Sequence, residues 1–168
     1  VTAAGSYEQP ELVRALAARL EKPLVILAVG NELRGDDGFG PLAAGLLAAA
    51  RPLEGVEIVQ GGSAPEAYAE RIARISPRTV LVLDACRYGG RPGELRLLEP
   101  RELGWMLGGG THAPSLELLA TYLDGRCGSR LALLAAEPLS TAIGAPVSPE
   151  LRRSAELAAE ALRAALGG

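Results

Sequence analysis

The sequence predicts an α/β domain: three layers, with helices on both faces of a five-stranded, mostly parallel twisted sheet. Three observations predict it. Short apolar runs of strand length recur along the chain, amphipathic segments of helix length alternate with them, and a proline or glycine stands at nearly every junction. The resulting order is α-β-α-β-α-β-β-α-β-α.

Residues 8–21 carry Leu12, Leu16 and Leu20 four apart, the spacing of one helix face, and Pro23 ends that helix. Leu24–Val29 is a continuous apolar run, the pattern of a strand covered on both faces. A second helix runs from about Phe39 to Ala50, with Pro41 in its first turn, where a missing N–H costs little, and with Pro52 as its stop. Val56–Gln60 is a short β-branched strand, and Gly61-Gly62-Ser63 reads as a loop. The next helix starts at Ser63 or Ala64, has Pro65 in its first turn, turns Ala67, Ile72 and Ile75 inward, and stops at Ser76-Pro77.

Thr79–Leu83 is the third strand and reads as buried on both faces, and Asp84 closes it. After the glycine-rich loop 87–93, Glu94–Leu98 alternates polar and apolar, as a strand nearer the sheet edge does. Gly108-Gly109-Gly110 is the most flexible composition in the chain. Thr111 is placed to cap a helix with Pro114 in its first turn and a Leu116, Leu119, Leu123 stripe. Arg130–Ala135 is a further buried strand. A long loop with Pro138, Gly144 and Pro146 precedes a last helix capped by Ser148, with Pro149 at its first position.

Composition narrows the function. The 168 residues fit one domain, and the core must be aliphatic, since the chain has one Phe, one Trp and four Tyr. A formal charge of −3 gives no basic field for nucleic acid. The apolar runs are too short to span a bilayer, and no leader pattern is visible, so the expectation is a cytoplasmic protein without membrane association. Cys86 and Cys127 are far apart and form no C-x-x-C, which reads as two reduced thiols.

The chemistry concentrates at the carboxyl ends of the strands, where open parallel sheets gather ligands. The first strand leaves the core at Gly30-Asn31 and is followed by Asp36-Asp37, bracketed by Gly35, Gly38 and Gly40. Such a pair is expected at an exposed edge, unneeded for folding and therefore available for chemistry. Asp84 ends the third strand, and His112, the only histidine, opens the helix after the glycine triplet. Right-handed crossovers return the strands to one edge, so these groups can meet. Two carboxylates and an imidazole suit a borderline divalent ion such as nickel, zinc, iron or manganese, with positions left for water or a partner's donor. Each group also has an ordinary structural reading: a turn cap for Asp84, a solvated helix start for Asp36-Asp37, a helix-start residue for His112, a plain thiol for Cys86. The glycine-rich turn lacks both G-x-G-x-x-G and Gly-Lys-Ser/Thr. Its carboxylates would repel a phosphate.

With these residues assembled, the chain resembles the hydrogenase maturation proteases, endopeptidases that trim the large subunit of [NiFe] hydrogenases. Gly30 to Gly40 matches the motif G-N-x-L-x-x-D-[DE]-G-x-G, Leu83-Asp84-Ala85 resembles a second motif, and Thr111 to Leu116 a third. Arg91 to Glu94, Glu137-Pro138 and Val147 to Glu150 also fit, and the likeness runs from about Pro23 to Leu166. It implies a fold of the phosphorylase/hydrolase-like kind with strand four antiparallel. It implies nickel ligands at Asp37, Asp84 and His112, with Asp36, Gly30, Asn31 and Gly38 in support. It also implies an aspartic-type endopeptidase acting on a nickel-loaded large-subunit precursor with a C-terminal extension, cut after a His or Arg. The nickel is recognised in the precursor, and Asp37 is the first candidate for activating water. A non-proteolytic nickel-sensing chaperone is the alternative.

The likeness divides the chain into an extra N-terminal helix over 1–22 and a single domain over 23–168, expected to work as a monomer. After strand five, Ala135-Ala136-Glu137-Pro138 stands where the family commonly has Gly-Ile-Gln/Glu-Pro.

Overall fold

The computed structural model describes residues 8–99, 102 and 113–167. Five strands form one sheet in the order β2-β1-β3-β5-β4: β1 Leu24–Val29, β2 Val56–Gly62, β3 Thr79–Ala85, β4 Leu95–Leu98 and β5 Arg130–Ala136. β1 pairs in parallel with β2 and β3, β3 in parallel with β5, and β4 runs antiparallel to β5 at one edge. The alternating, edge-like pattern of residues 94–98 is thus explained: among the described residues β4 pairs with β5 alone, whereas β1 and β3 are buried at every position.

Among the described residues these helices cover the two faces: α1 Gln9–Arg19, α2 Phe39–Ala48, α3 Ala69–Ile75, α4 Ala113–Cys127 and α5 Pro149–Ala165. Alternation along the strands sorts the core. Leu24, Ile26 and Ala28 of β1 face the layer of α1, α2 and α5, while Val25, Leu27 and Val29 face that of α3 and α4. The predicted leucines do the packing: Leu12 and Leu16 of α1 and Leu116, Leu119 and Leu123 of α4 are fully buried. Burying a leucine contributes about 2 kcal/mol relative to exposure, so these stripes seat the helices. α5 starts as expected, with Ser148 Oγ accepting from Leu151 N–H at 3.2 Å and Pro149 in the first turn.

Several boundaries differ from the sequence reading. A 3-10 turn at Pro65–Tyr68 stands where the third helix was expected to start, and the α-helix begins only at Ala69. In consequence Ala67 is exposed, and Pro65, Ile72 and Ala73 take the inward positions. Gly61 and Gly62 are not a loop but the end of β2, where the register against β1 slips by one residue between Ala28 and Val29. Asp84 lies within β3 rather than closing it, and α2 ends at Ala48.

The backbone of this sheet sets up two unlike ends. The amino ends of β1, β3 and β5 meet at Glu21, Arg78 and Arg130. The carboxyl ends meet at the turn after β1, the Asp84–Cys86 segment and Glu137.

Candidate functional site

The site begins with a glycine. Gly30 ends β1 with φ +128°, and a Cβ there would fall 1.9 Å from the Asp37 carbonyl oxygen. Only glycine lets the chain fold back so closely. The Asn31 N–H then reaches both the Asp37 carbonyl, at 3.1 Å, and the Asp37 carboxylate Oδ2, at 2.9 Å. Asn31 also caps its own turn, its Oδ1 accepting from Leu33 N–H at 2.9 Å. A 3-10 turn, Gly35–Gly38, carries the two aspartates, and Gly38 is the residue from which α2 departs. At Gly40 a Cβ would lie 2.3 Å from the carbonyl oxygens of both Val29 and Leu83. The start of α2 is therefore pressed onto the ends of β1 and β3, which brings the turn over Asp84.

The expectation that Asp36 and Asp37 form an exposed pair not needed for folding is corrected. Their exposures are 1% and 6%. The long loop after β5 folds over the turn and hides it. Asp36 is the reason the loop can do so. Its Oδ2 accepts from the Leu139 N–H at 2.7 Å, the Ser140 N–H at 3.3 Å and the Ser148 hydroxyl at 3.0 Å, and its Oδ1 accepts from the Ser148 N–H at 2.7 Å. The Asp36 N–H in turn donates to the Ser140 carbonyl at 2.9 Å. A buried carboxylate with four donors is satisfied. Asp36 is a clamp holding both ends of the loop.

Asp37 is different. Its Oδ2 takes the Asn31 N–H, and among the described residues its Oδ1 takes no hydrogen bond and no Lys or Arg pairs with it. Asp84 is fully buried on β3, and the Cys86 thiol donates to its Oδ2 at 3.7 Å. Cys86 shows that these acids share a neighbourhood. Burial first, then the charge and hydrogen bond of Asp84, then the charges of Asp37 and Glu137 push its thiol well above the ordinary range. Cys86 is thus held as a neutral thiol. It and the half-buried Cys127, whose Sγ donates to the Leu123 carbonyl at 3.2 Å, are both free.

Glu137 and Glu94 are buried acids whose work the sequence reading left open. Glu137 follows β5 directly, and its Oε2 accepts from the Tyr88 N–H at 2.8 Å and the Gly90 N–H at 3.0 Å. Glu94 accepts from the Arg91 N–H at 3.1 Å and pairs with Arg96 at 3.3 Å. The Tyr88 hydroxyl donates to the Glu94 carbonyl, and the Arg96 guanidinium lies over the Tyr88 ring at 4.4 Å. Together they shape loop 87–93 beside the site. A signal existed in the register: Cys86 N–H binds the Ala136 carbonyl, so the residue after β5 must border the segment that follows Asp84.

The structure therefore brings Asp37 and Asp84 to one buried edge, with Gly30, Asn31 and Gly38 shaping the turn and Asp36 clamping it. His112 lies outside the described residues, as do Thr111 and the glycine triplet. Among the described residues no cluster of three or more His, Cys, Asp or Glu side chains is set to hold a metal ion. The donors present, two hard carboxylates with no cationic side chain against Asp37 among the described residues, match a divalent cation in charge, and the chain holds one imidazole, that of His112.

A three-layer α/β domain with buried acids gathered at its strand ends is the class of protein that fold and site define. Comparison with known proteins supplies the family. Residues 42–165 match the family described as hydrogenase maturation protease. The Hydrogenase 3 maturation protease of Escherichia coli (strain K12) is 40% identical over 99 residues, which cover 59% of this chain and 63% of that protein. The crystal structure of a [NiFe] hydrogenase maturation protease HycI from Thermococcus kodakarensis KOD1 superposes with a TM-score of 0.72 at 34% identity, over 83% of this chain and 92% of that one. The solution structure of an endopeptidase HycI from Escherichia coli gives 0.71 at 30% identity, over 82% and 86%. The chain belongs to the hydrogenase maturation protease family. Among the described residues no helix is long and apolar enough to cross a membrane.

Proposed function

We propose that this protein is a nickel-dependent endopeptidase that removes the C-terminal extension of a [NiFe] hydrogenase large-subunit precursor. The observation that carries the reading is the placement of Asp37 and Asp84 at one buried sheet edge in a chain of this family. Burying two carboxylates together is costly unless a cation joins them. In this reading the cation is the nickel already seated in the precursor, and it arrives with the substrate. Asp37, Asp84 and His112 hold it, and when bound it supplies Lewis-acid polarisation of the scissile carbonyl.

The chain's own residues do the remaining work. The Asn31 N–H holds Asp37 Oδ2 at 2.9 Å and leaves Oδ1 without a hydrogen bond among the described residues. That oxygen would take a proton from an attacking water. Asp36 holds the covering loop down and limits the entry of further water. The Cys86 thiol is excluded as a nucleophile, because the thiolate that would attack is suppressed by burial and by Asp84.

The test is cleavage of purified precursor, loaded with nickel or nickel-free, followed by the mass of the large subunit. The extension is lost from the loaded precursor alone if the reading holds. Cleavage of both forms overturns the nickel requirement. Cleavage of neither overturns the peptidase and leaves a chaperone that senses nickel without cutting.

A further inference from the structure

The open edge of the sheet offers more than a boundary. β2 is seven residues long, and among the described residues no strand pairs with its outer side. The Leu24 N–H binds the Gly55 carbonyl, so Glu57 and Val59 turn their backbone groups toward β1, and Val56, Ile58 and Gln60 turn theirs outward; the Val56 N–H is taken by the Leu53 carbonyl at 3.2 Å, which leaves Ile58 and Gln60 as the open positions of the edge among the described residues. The side chains of those same three residues face α2. Two hollows lie between α2 and β2, one against Ala48, Val56 and Ile58 and the other against Pro41, Gly45 and Gln60. The second is a groove of about 610 Å³ that reaches Gly30 and Asn31, which hold the Asp37 turn.

Gly45 is the odd member. It sits in a helix interior, where glycine is unfavourable, and a Cβ there would meet nothing within 4 Å. Folding of the chain does not require a glycine at this position, but a groove that must admit another backbone does.

We infer that this groove binds an extended segment of the precursor beside the scissile bond, which adds as a strand along the outer edge of β2. The inference rests on the proposed peptidase reading and names how its substrate is held. The outward N–H and C=O groups of Ile58 and Gln60 are matched by another extended main chain. The groove reaches Asn31, whose N–H holds the Asp37 carboxylate at 2.9 Å, so a segment paired with β2 would bring its next peptide bond toward the Asp37 turn. The acidic mouth, with Glu32 on its wall, disfavours an anionic side chain at that point.

The test uses the full chain and nickel-loaded precursor. Gly45→Leu fills the groove while improving helix propensity, so its melting temperature stays at or above that of the parent. Its KM should rise about tenfold or more with kcat little changed. Ile58→Pro deletes one outward N–H without touching the β1 ladder, and KM should rise about fivefold. Cleavage by the parent with unaltered KM in a folded Gly45→Leu variant overturns the groove and leaves the peptidase standing. Failure of the parent to cleave overturns the peptidase reading itself. A self-associated dimer that Ile58→Pro dissolves would reassign the edge to a second copy and overturn the inference.

Discussion

The two ends of the sheet treat their acids in opposite ways. At the amino end Glu21 is half-exposed and faces two arginines, Arg130 and, at 3.5 Å, Arg78. At the carboxyl end Asp37, Asp84 and Glu137 are buried. Asp37 and Glu137 receive backbone N–H groups and, among the described residues, no arginine. Charge neutralised in solvent adds little and does nothing else. Charge buried without an arginine, as at Asp37 and Glu137, is retained against a cost, which is consistent with the cation site proposed above. Within the carboxyl end a second contrast holds: Asp36 spends its oxygens on four donors, while its neighbour Asp37 keeps one oxygen for something else.

The largest effect should come from breaking that second contrast. Asp37→Asn keeps the shape and an acceptor for the Asn31 N–H but removes the charge. Precursor cleavage should fall by about 10²–10⁴-fold, with the melting temperature held or raised. His112→Ala should fall with it. Cleavage at parental rates in either variant would remove that residue from the site.

Asp36→Ala should do the reverse. It leaves one buried and two part-buried N–H groups and a buried hydroxyl without their acceptor, and the expected loss is about 3 kcal/mol of unfolding free energy by denaturant titration. Asp36→Asn, which keeps one carbonyl oxygen, should lose less. Equal stability in Asp36→Ala and the parent would show that the loop is held by other contacts.

These two aspartates also mark how far the sequence could be read. Strands β1 and β3 and the leucine faces of α1 and α4 were legible because burial on both sides, or a stripe at helical spacing, leaves a pattern in residues close along the chain. The convergence of Asp37 and Asp84 was legible from topology, since parallel strands share a carboxyl edge. The burial of the turn was not. It depends on Leu139, Ser140 and Ser148, more than a hundred residues away, closing over Asp36, and no local periodicity encodes that. The same holds for Glu137, whose partners are the N–H groups of Tyr88 and Gly90. The start of α3 was misjudged for a local reason: Pro65 suits the first turn of either helix type, and here it opens a 3-10 turn.

A smaller effect tests the acidity of the carboxyl end without substrate. The folded Cys86 thiol titrates well above its unfolded value, which is about 8.5. Above that pH the unfolded chain releases the proton and the folded protein keeps it. Stability is thus intact below about pH 8.5 and declines as pH rises, by up to about 1.4 kcal/mol per pH unit. Denaturant midpoints at pH 7.5, 8.5 and 9.5 should show the decline, and Cys86→Ala should flatten it. The same slope in both proteins would mean that other groups dominate.

The smallest effect belongs to the amino end. Glu21 interacts with Arg130 and Arg78 through side chains that are half or more exposed, at 50%, 63% and 69%. Solvent screens the attraction, and ordering three long side chains offsets part of what is left. Glu21→Gln should therefore change unfolding free energy by less than about 1 kcal/mol, with the difference shrinking in 0.5 M salt, and should leave precursor cleavage unchanged. The backbone contact nearby, Glu21 N–H to Thr79 Oγ1 at 3.1 Å, survives the substitution and keeps α1 joined to β3. A loss comparable to that of Asp36→Ala would erase the distinction between the two ends. It would mean that the ion pairs, rather than Leu12 and Leu16 beneath them, hold α1 against the sheet.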